Sequence, residues 1–420
     1  MKKTESFDVL IAGGGASGLF CAAQCAKLGL SCGVIEKNDR LGLKLSITGK
    51  GRCNVTNNCD ADTVMKNIPR NPRFMFSSLQ RFAPADTMAY FESLGAGLKT
   101  ERGNRVFPVS DKARDIVDAL VNECRRLGVT FITDEVCEIL TENGKALGFK
   151  CKGSTLYADS VIIACGGRSY PKTGSDGSGY ALAKGIGHTV TAITPSLCPM
   201  VCKEADECAE AMGLSLKNCT LSLYKEGKKK PIYKELGEML FTHFGLSGPL
   251  VLSASAHIDN LDKYGYTVAI DLKPALDEPT LDKRILRDFA EDSNKDLSNA
   301  LRGMLPQKII PMVMKRAGLD PDMKPNSITK QQRRRLLETM KGLRFEITRL
   351  RPIDEAIITR GGVSVKEIDP SSMASKLCEG AYFIGEVLDV DAYTGGFNLQ
   401  IAFSTAFAAA QSIADSKASE

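Results

Sequence analysis

The sequence contains no tryptophan and only three histidines in 420 residues. So few histidines supply metal chemistry poorly, and we therefore predict no metal site. Its 14 cysteines include no Cys-x-x-Cys pair, which argues against the redox disulfide of glutathione-reductase-like enzymes. We expect these cysteines to be reduced and mostly buried thiols.

A large excess of either charge is also missing, because 55 Lys and Arg face 50 Asp and Glu, a net charge of +5. That balance excludes a protein that coats polyanions through bulk charge. Two local basic clusters remain. Lys228–Lys230 falls between two predicted strands, and Arg333–Arg335 lies on a predicted helix without an interleaved aromatic residue to stack a base. We predict no nucleic-acid partner.

No uninterrupted apolar run of about 18 residues occurs in the sequence. The amino-terminal run 7–26 imitates a signal peptide, but Asp8 and Gly13–Gly15 interrupt it and no cleavage pattern follows. Near the carboxyl end, Ile401–Ala414 is cut by serine, threonine and glutamine. We therefore predict a soluble, cytoplasmic protein without a membrane partner.

The first motif with chemical content follows a short apolar strand predicted at Phe7–Ala12. The next six residues, Gly13 to Gly18, have the spacing G-x-G-x-x-G and open a helix of small and apolar residues. In a dinucleotide fold, Gly13 permits the tight turn, Gly15 lets the backbone approach a pyrophosphate, and Gly18 lets helix and strand pack closely. A glycine turn that binds no ligand is the alternative for this segment.

The second predicted strand, Ser31–Ile35, ends at Glu36, eighteen residues beyond Gly18. A carboxylate there can accept hydrogen bonds from both ribose hydroxyls of an adenine nucleotide. The same carboxylate repels a 2′-phosphate, so NADP is disfavoured at this site, and FAD and NAD remain.

Downstream, the segment Gly42–Asn57 is rich in glycine, hydroxyl groups and cations. We predict neither a regular helix nor a strand there, but a loop laid along a large polar cofactor. In this loop Lys50 and Arg52 would neutralise a pyrophosphate or an anionic flavin. A polar surface loop is the alternative.

Two later segments favour FAD over NAD. A buried strand predicted at Ser160–Cys165 closes on Gly166, and a strand predicted at Ala381–Asp389 leads to Gly395–Gly396, which opens a long helix ending at Ala414. The amino terminus of that helix suits the pyrimidine end of a flavin, where negative charge accumulates on reduction. A ligand held by both ends of the chain is long, as FAD is.

Seven motifs stand out in the sequence: Gly13–Gly18, Thr48–Asn57, Ala164–Gly167, Phe241–Pro249, Thr359–Val363, Gly385–Asp391 and Gly395–Gln400. The middle and terminal motifs are specific, whereas the glycine motif Gly13–Gly18 alone is not. On these motifs the chain resembles the BaiN/YhiN-type FAD-binding flavoproteins, also called the aminoacetone-oxidase-like family, over essentially its whole length. The resemblance implies an α/β fold. Its Rossmann-like FAD-binding domain would carry an inserted β-barrel-like lobe and a helical subdomain.

The expected domain boundaries follow from this resemblance and from the local patterns. A discontinuous FAD-binding domain is expected at 1–190 and 355–420. Short alternating strands predict a β-rich insert at 191–275, and helical periodicity predicts a helical subdomain at 276–354.

The predicted FAD contacts are spread over the glycine turn, the loop after Glu36 and the carboxyl-terminal motifs. They are Gly13, Gly15, Ala16, Ser17, Gly18, Glu36, Lys37, Lys44, Arg52, Cys53, Asn54, Val136, Gly166, Glu386, Asp389, Gly396, Asn398 and Leu399.

Residues for catalysis are fewer. Tyr170, after a glycine pair, and Tyr393, before another, are the candidate proton donors, and His243 is a candidate beside the substrate with a structural role as its alternative. No second G-x-G-x-x-G follows a strand, so NADH or NADPH would bind only transiently as the electron donor.

The predicted function is an FAD-dependent oxidoreductase that passes hydride from flavin N5 to a small organic acceptor. The resemblance implies a conjugated C=C of a 3-oxo steroid or bile-acid-like enone. The alternative is a flavin-binding redox sensor or partner-binding protein with little turnover. The sequence carries no pattern that predicts an oligomeric state.

Overall fold

The computed structural model describes residues 6–419, which divide into two compact units. Unit 1 contains the described residues up to Ser196 and from Ile353 onward, and unit 2 is the inserted segment Leu197–Pro352. The insert, expected to form a β-rich and a helical part, is thus one unit.

The strands are β1 (Ser6–Ala12), β2 (Cys32–Glu36), β3 (Thr56–Asn57), β4 (Leu98–Glu101), β5 (Arg105–Pro108), β6 (Thr130–Thr133), β7 (Val136–Glu142), β8 (Lys145–Cys151), β9 (Thr155–Ile163), β10 (Thr194–Ser196), β11 (Met200–Cys202), β12 (Ser215–Lys225), β13 (Tyr233–Thr242), β14 (Gly245–Ser247), β15 (Tyr266–Asp271), β16 (Leu343–Leu350), β17 (Ile358–Arg360) and β18 (Ala381–Phe383). The helices are α1 (Ala16–Lys27), α2 (Leu43–Gly51), α3 (Ala61–Lys66), α4 (Phe76–Arg81), α5 (Pro84–Ser93), α6 (Ala113–Arg126), α7 (Ser178–Gly185), α8 (Ala205–Glu210), α9 (Pro249–Ser255), α10 (Glu278–Glu291), α11 (Leu297–Ala300), α12 (Ile310–Ala317), α13 (Lys330–Lys341) and α14 (Phe397–Ala418).

Unit 1 is built on a seven-stranded sheet in the order β6-β2-β1-β9-β8-β7, with β18 also paired to β9. Its strands β6, β2, β1, β9 and β18 are parallel, whereas β7, β8 and β9 are joined by antiparallel pairs. From Val9 to Ala12, strand β1 is continuously apolar because both of its faces are covered there, and Val9, Leu10 and Ile11 are fully buried. This arrangement confirms the predicted Rossmann-like α/β fold.

Two helices from opposite ends of the chain pack together beside this sheet. Helix α1 contacts α14, and the rings of Phe20 and Phe403 lie 5.2 Å apart between their centroids. The buried positions of α14 include several alanines, such as Ala406 and Ala409, whose small side chains let neighbouring elements approach closely.

The polar segment after β2 is more regular than predicted. Helix α2 begins after Gly42, where φ is +66°, and its helical geometry breaks at Thr48, Gly49 and Lys50. The prediction of no regular structure was therefore wrong for the first turns, in which Leu45 is buried against the core, and right for the break. The strand predicted at 381–389 is also shorter, because β18 ends at Phe383.

Unit 2 is a closed barrel in the order β11-β14-β13-β12-β15-β16, accompanied by helices. Its interior is apolar, with Leu221, Phe241, Val268 and Phe345 fully buried. Helices α10 to α13 lie in sequence between β15 and β16. The predicted helical subdomain therefore ends too late, because its last residues form β16, the strand that closes the barrel.

All 14 cysteines are free thiols and most are buried, as predicted. Among residues 6–419, no helix has both the length and the apolar character needed to cross a bilayer.

Candidate functional site

A cavity opens at the carboxyl ends of β1, β2 and β9, where Ala12, Glu36 and Ala164 line its wall. It encloses about 1220 Å³ of empty space, including the part open to solvent. Ligands of open α/β sheets bind at this edge, because the helix amino termini and connecting loops converge there.

Twelve of the eighteen predicted cofactor residues line the cavity. They are Gly13, Gly15, Ala16, Ser17, Glu36, Lys37, Lys44, Val136, Gly166, Glu386, Asn398 and Leu399. The structure therefore brings together residues from both ends of the chain, while their contacts with FAD stay predictions.

The three fingerprint glycines have different surroundings. A Cβ on Gly18 would lie 1.9 Å from the carbonyl oxygen of Gly13, and one on Gly13 would lie 2.6 Å from that of Ala164, so both positions need the absence of a side chain for packing. A Cβ on Gly15 would meet no atom within 4 Å. Gly15 therefore leaves space on the cavity side, as a closely bound ligand requires.

Helix α1 begins at this space. Its N-cap is Gly15, no side chain caps it, and its first turn contains no acidic residue. The first N–H groups of a helix have no partner within the helix and carry the positive end of its dipole. An anion such as a pyrophosphate is the natural ligand of such a terminus when it faces a cavity.

The carboxylate of Glu36 is held in place by three donors. Its Oε2 accepts from the backbone N–H of Gly14 at 2.8 Å, and its Oε1 accepts from the backbone and side-chain nitrogens of Asn38 at 2.9 and 2.6 Å. Both acceptor positions of Oε1 are therefore taken, and Oε2 keeps one for a further donor. The carboxylate is thus oriented at the cavity wall, where a ribose hydroxyl could donate to Oε2.

A polar network connects Lys44 and Glu386, which both line the cavity. The Nζ of Lys44 lies 2.6 Å from Glu386 Oε2 and donates to Ser169 Oγ at 2.7 Å. The other Glu386 oxygen accepts from the backbone N–H of Thr359 at 3.0 Å. Four segments distant in sequence are therefore joined by one lysine and one carboxylate at the cavity surface.

A second ion pair lies near the loop after Glu36. The Nζ of Lys37 is 2.6 Å from Asp176 Oδ2. Burial raises the pKa of Asp176, but Lys37 and the backbone N–H of Ser178 outweigh it, and the net pKa lies below the ordinary value. The aspartate is therefore ionised and fixes Lys37.

Arg52 is not part of the cavity wall. Its guanidinium pairs with Glu101 and, at 2.6 Å, with Asp111, and it lies 4.2 Å from the centroid of the Phe107 ring. The hydrogen bonds that Arg52 donates to Glu101 and Asp111 hold its pKa above the ordinary value. Two carboxylates of the chain thus neutralise this cation, and its contact with FAD stays a prediction.

The neighbouring predicted contacts are also outside the wall. Cys53 is fully buried, and burial raises the pKa of its thiol to about 12. Asn54 has a buried Oδ1 without a hydrogen-bond partner in the described chain.

Asp389 and Gly396 pack within the protein. Asp389 is buried and paired with Arg70, with Nε and Oδ1 2.6 Å apart. A Cβ on Gly396 would lie 2.3 Å from the carbonyl oxygen of Thr56. The close backbone approach at this glycine is therefore to β3, while Asn398 and Leu399 of α14 line the cavity.

The three candidate catalytic residues do not line the cavity either. Tyr170 is half-buried in a left-handed conformation with φ at +55°, close in sequence to the lining residues Thr173 and Ser175. Tyr393 is half-buried, and its backbone N–H donates to Asn67. His243 is exposed in unit 2, at the turn between β13 and β14.

Several lining residues were not predicted from the sequence. They are Gly14, Asn38, Arg40, Gly42, Leu43, Leu45, Thr48, Asp134, Glu135, Cys165, Thr173, Gly174, Ser175, Ser178, Ile357, Ile358 and Ala402, besides the strand ends Ala12, Ile35 and Ala164. Asp134 and Glu135 directly follow β6, so they could have been found by recognising β6 as a parallel neighbour of β2.

No three His, Cys, Asp or Glu side chains of residues 6–419 converge in a way that could hold a metal ion.

The open space at Gly15, the uncapped helix α1 and the oriented Glu36 fit a dinucleotide such as FAD. The fold and the site define an FAD-dependent oxidoreductase of the Rossmann type. The family model described as HI0933-like protein Rossmann domain matches residues 7–412. The chain belongs to this HI0933-like family, which confirms the resemblance found in the sequence.

Relatives of known activity are similar over nearly the whole chain. A 3-dehydro-bile acid delta(4,6)-reductase of Clostridium scindens is 31% identical, covering 96% of this chain and 98% of the relative. Ribosomal RNA dihydrouridine synthases of Escherichia coli and Haemophilus influenzae are 30% and 32% identical, covering 99% and 96% of this chain and 100% and 98% of the relatives.

Among solved structures, the 3-ketosteroid delta1-dehydrogenase of Sterolibacterium denitrificans has a TM-score of 0.52 at 15% identity, covering 98% of this chain and 100% of that chain. At this identity the similarity concerns the fold alone.

Proposed function

We propose that this flavoprotein reduces a carbon–carbon double bond conjugated to a carbonyl group, with NADH or NADPH as the electron donor. The observation that carries the proposal is the cavity of unit 1, lined by residues from both ends of the chain, with an uncapped helix terminus and an oriented Glu36 at its wall. Bound FAD supplies hydride transfer between the nicotinamide and the acceptor.

The relatives support this class of acceptor. The bile-acid reductase is named for the reduction of double bonds in a 3-oxo steroid, and the RNA enzymes for the saturation of uridine. In both compounds the reduced C=C is conjugated to a carbonyl. A 3-oxo steroid or bile-acid-like enone is therefore the first acceptor that we propose.

The second acceptor is a uridine of RNA. Two relatives named for this substrate cover nearly all of this chain at 30% and 32% identity, close to the 31% of the bile-acid reductase. Overall identity does not discriminate between the two acceptors, and the experiment must include both.

The reaction adds a hydride to the β-carbon of the acceptor and a proton to its α-carbon, while NAD(P)H is converted to NAD(P)⁺. The chain must hold the cofactor and supply the proton. Lys44 and Glu386 hold the wall of the cofactor cavity, and Tyr170 and Tyr393 stay the proposed donors of the proton.

The test starts with the purified protein, which should carry about one FAD per chain. Anaerobic addition of NADH or NADPH should bleach the flavin, and a 4-en-3-one steroid or a uridine-containing RNA should restore its colour with formation of the saturated product. A saturated 3-oxo steroid and an RNA containing only dihydrouridine in place of uridine are the matched controls. A flavin that reduces oxygen but neither acceptor would support the redox-sensor alternative instead.

A further inference from the structure

Two loops of unit 2 meet at one end of the barrel. One loop, 226–232, connects β12 to β13, and the other, 259–265, precedes β15. The backbone N–H of Glu226 donates to the carbonyl of Gly265 at 2.9 Å, and the N–H of Gly265 donates to Glu226 Oε2 at 3.0 Å. The two loops therefore form one surface, which we call the basic end; its cations are Lys225, Lys228, Lys229, Lys230 and Lys263.

The lysines at the tip of the first loop have no counter-charge. Lys228, Lys229 and Lys230 are exposed, and the described chain contains no ion pair for any of them. The arginine cluster of α13 differs: Arg333 pairs with Asp282 at 2.7 Å, and Arg334 pairs with Glu338 at 2.7 Å. Of the two clusters, the lysine cluster is thus the one in which all three cations are available to an external anion, whereas only Arg335 of the arginine cluster lacks a carboxylate partner among residues 6–419.

An aromatic side chain lies within the basic end. The Nζ of Lys225 is 3.7 Å from the centroid of the Tyr264 ring, and that of Lys263 is 5.3 Å from it. Lys225 also approaches Asp259 at 3.4 Å, which fixes its ammonium group near the ring. Cations arranged around an aromatic ring are the combination that binds the phosphates and bases of an unpaired strand.

The distribution of charge along the chain points to the same unit. Residues 197–352 contain 26 Lys and Arg but 21 Asp and Glu, so this unit carries the whole net charge of +5. The rest of the chain is balanced at 29 of each. An anionic partner is therefore attracted to unit 2 before it is attracted to unit 1.

The chemistry of the surface favours a nucleic acid over a membrane. The large exposed apolar side chains of the described residues include none from the two loops, so the basic end offers nothing to insert between lipids. A duplex would hide its bases from Tyr264, whereas single-stranded RNA exposes them.

We propose that the basic end of the barrel binds single-stranded RNA, with Lys228–Lys230 contacting phosphates and Tyr264 stacking on a base. The inference rests on the uridine acceptor put forward above and names the surface that would hold its strand. It differs from the sequence-based expectation of no nucleic-acid partner, which treated the lysine cluster as an ordinary hairpin tip; the fold joins that loop to the loop of Tyr264.

The test uses the full FAD-loaded chain and a fluorescent, uridine-rich, unstructured RNA of about 20 nucleotides, with anisotropy measured at several salt concentrations. The variant K228E/K229E/K230E should bind at least about tenfold more weakly, with a salt dependence reduced by about two ions. A control with the same change of charge, K66E/K112E/K184E, alters three exposed lysines of unit 1 and should bind RNA like the parent.

The tyrosine is tested separately. Tyr264→Ala should weaken binding about fivefold or more, and Tyr264→Phe, which keeps the ring, should restore it. Equal binding by the parent and the lysine variant, or equal losses in the lysine variant and the unit 1 control, would overturn the proposal. If Tyr264→Ala binds RNA like the parent, the stacking contact is overturned, and the lysines would form a surface that binds polyanions in general.

Flavin content and reduction of the steroid enone are measured on the same preparations. Both should be unchanged in all variants, because none of the altered residues lines the cofactor cavity. RNA binding without reoxidation of the flavin by RNA or steroid would contradict the proposed function and leave the surface standing. If an RNA reoxidises the flavin through its uridines and also binds the lysine variant as tightly as the parent, the proposed function stands and the proposed RNA surface is overturned.

Discussion

At the scale of single residues, the glycine turn Gly13–Gly18 contains glycines that serve two different purposes, the packing of the protein and the space for a ligand. Gly18 and Gly13 are required by the packing of the protein itself, because a Cβ on either would overlap a backbone carbonyl. Gly15 is required by nothing in the protein, since a Cβ there would enter open space. A glycine that the fold does not need and that lines a cavity is retained for the ligand.

This difference gives the first prediction. Gly15→Ala should leave the thermal midpoint of the cofactor-free protein nearly unchanged and weaken FAD binding about tenfold, about 1.4 kcal/mol, because the methyl group occupies the anion position at the start of α1. Gly18→Ala should lower the midpoint of the cofactor-free protein, because the helix must move away from β1. Calorimetry and flavin titration separate the two; an unstable Gly15→Ala protein would contradict the assignment.

The second prediction concerns Asp391, whose side chain is buried and accepts from Ser196 Oγ at 2.9 Å. Burial raises its pKa to about 6, against the opposing effects of Ser196, Arg360 and Arg70. The native state therefore holds this proton more tightly than the unfolded chain. The resulting loss of stability develops as the pH rises from about 3.8 to about 6 and is complete above that range.

Asp391→Asn removes the buried charge and keeps an acceptor for Ser196. Relative to the parent, the variant should gain about 1–3 kcal/mol at pH 7.5 and much less at pH 4. Urea unfolding at both pH values measures the change. A difference between variant and parent that is the same at both pH values would show that Asp391 does not titrate in this range.

The role of a residue could be predicted from the sequence where the local backbone determines it. It could not be predicted where the role depends on which side chains, distant in sequence, lie beside the residue in the fold. The glycine turn and Glu36 follow from spacing along one βαβ unit. Arg52 does not, because Glu101 and Asp111, which neutralise it, lie about 50 residues away in sequence and meet it only through the fold.

At the scale of secondary-structure elements, α14 is fixed by a polar residue in its buried face. The side-chain oxygen of Gln400 accepts from the hydroxyls of Thr56 and Thr87 at 2.6 and 2.8 Å. Its nitrogen donates to the carbonyl of Phe82 at 3.1 Å and to Ser404 at 3.0 Å. One amide thus ties α14 to β3, α5 and the end of α4.

Gln400→Leu should destabilise unit 1 by about 2–5 kcal/mol, because it leaves the buried hydroxyls of Thr56 and Thr87 without their acceptor at about 1–3 kcal/mol each. Thr87→Val, which removes one hydroxyl and leaves the amide with its other partners, should cost about 1 kcal/mol. Thermal unfolding of the three proteins gives the order. A Gln400→Leu protein as stable as the parent would mean that α14 is held by its apolar contacts alone.

Element types were predicted best where the pattern is local. The buried strand β1 and the helix after the glycine turn follow from a few consecutive residues, whereas α2 was missed because its glycines read as a loop. Strand β16 was missed because it follows four helices, and only its pairing with β11 and β15 identifies it as part of the barrel.

At the scale of the whole molecule, the insert enters and leaves unit 1 at neighbouring strands. Strand β10 ends at Ser196, which pairs with Ile358 of β17. Within unit 2, Met200 of β11 pairs with Leu350 of β16, so the two ends of the insert are also neighbours. The cofactor cavity is lined by residues of unit 1.

Replacing Leu197–Pro352 by a short Gly-Ser linker should therefore give a folded protein that keeps FAD. The binding of single-stranded RNA should be lost with the basic end. Flavin absorbance after gel filtration, circular dichroism and RNA anisotropy measure the three properties, with a second linker of different length as the control. A deletion protein that folds but releases its flavin would show that the insert contributes to cofactor binding.

The position of β18 and α14 after the insert also orders the events of biosynthesis. The barrel has all of its strands once Pro352 has been translated, whereas β9 and α1 wait for β18 and α14, which follow the insert in the sequence. At about 5–20 residues per second, the 66 residues from 353 to the end of α14 at Ala418 take roughly 3–13 s to translate. During that interval the dinucleotide site lacks one wall, so we expect FAD to join the chain only after α14 has been made, and a message truncated after the barrel should yield a folded lobe that does not retain the cofactor.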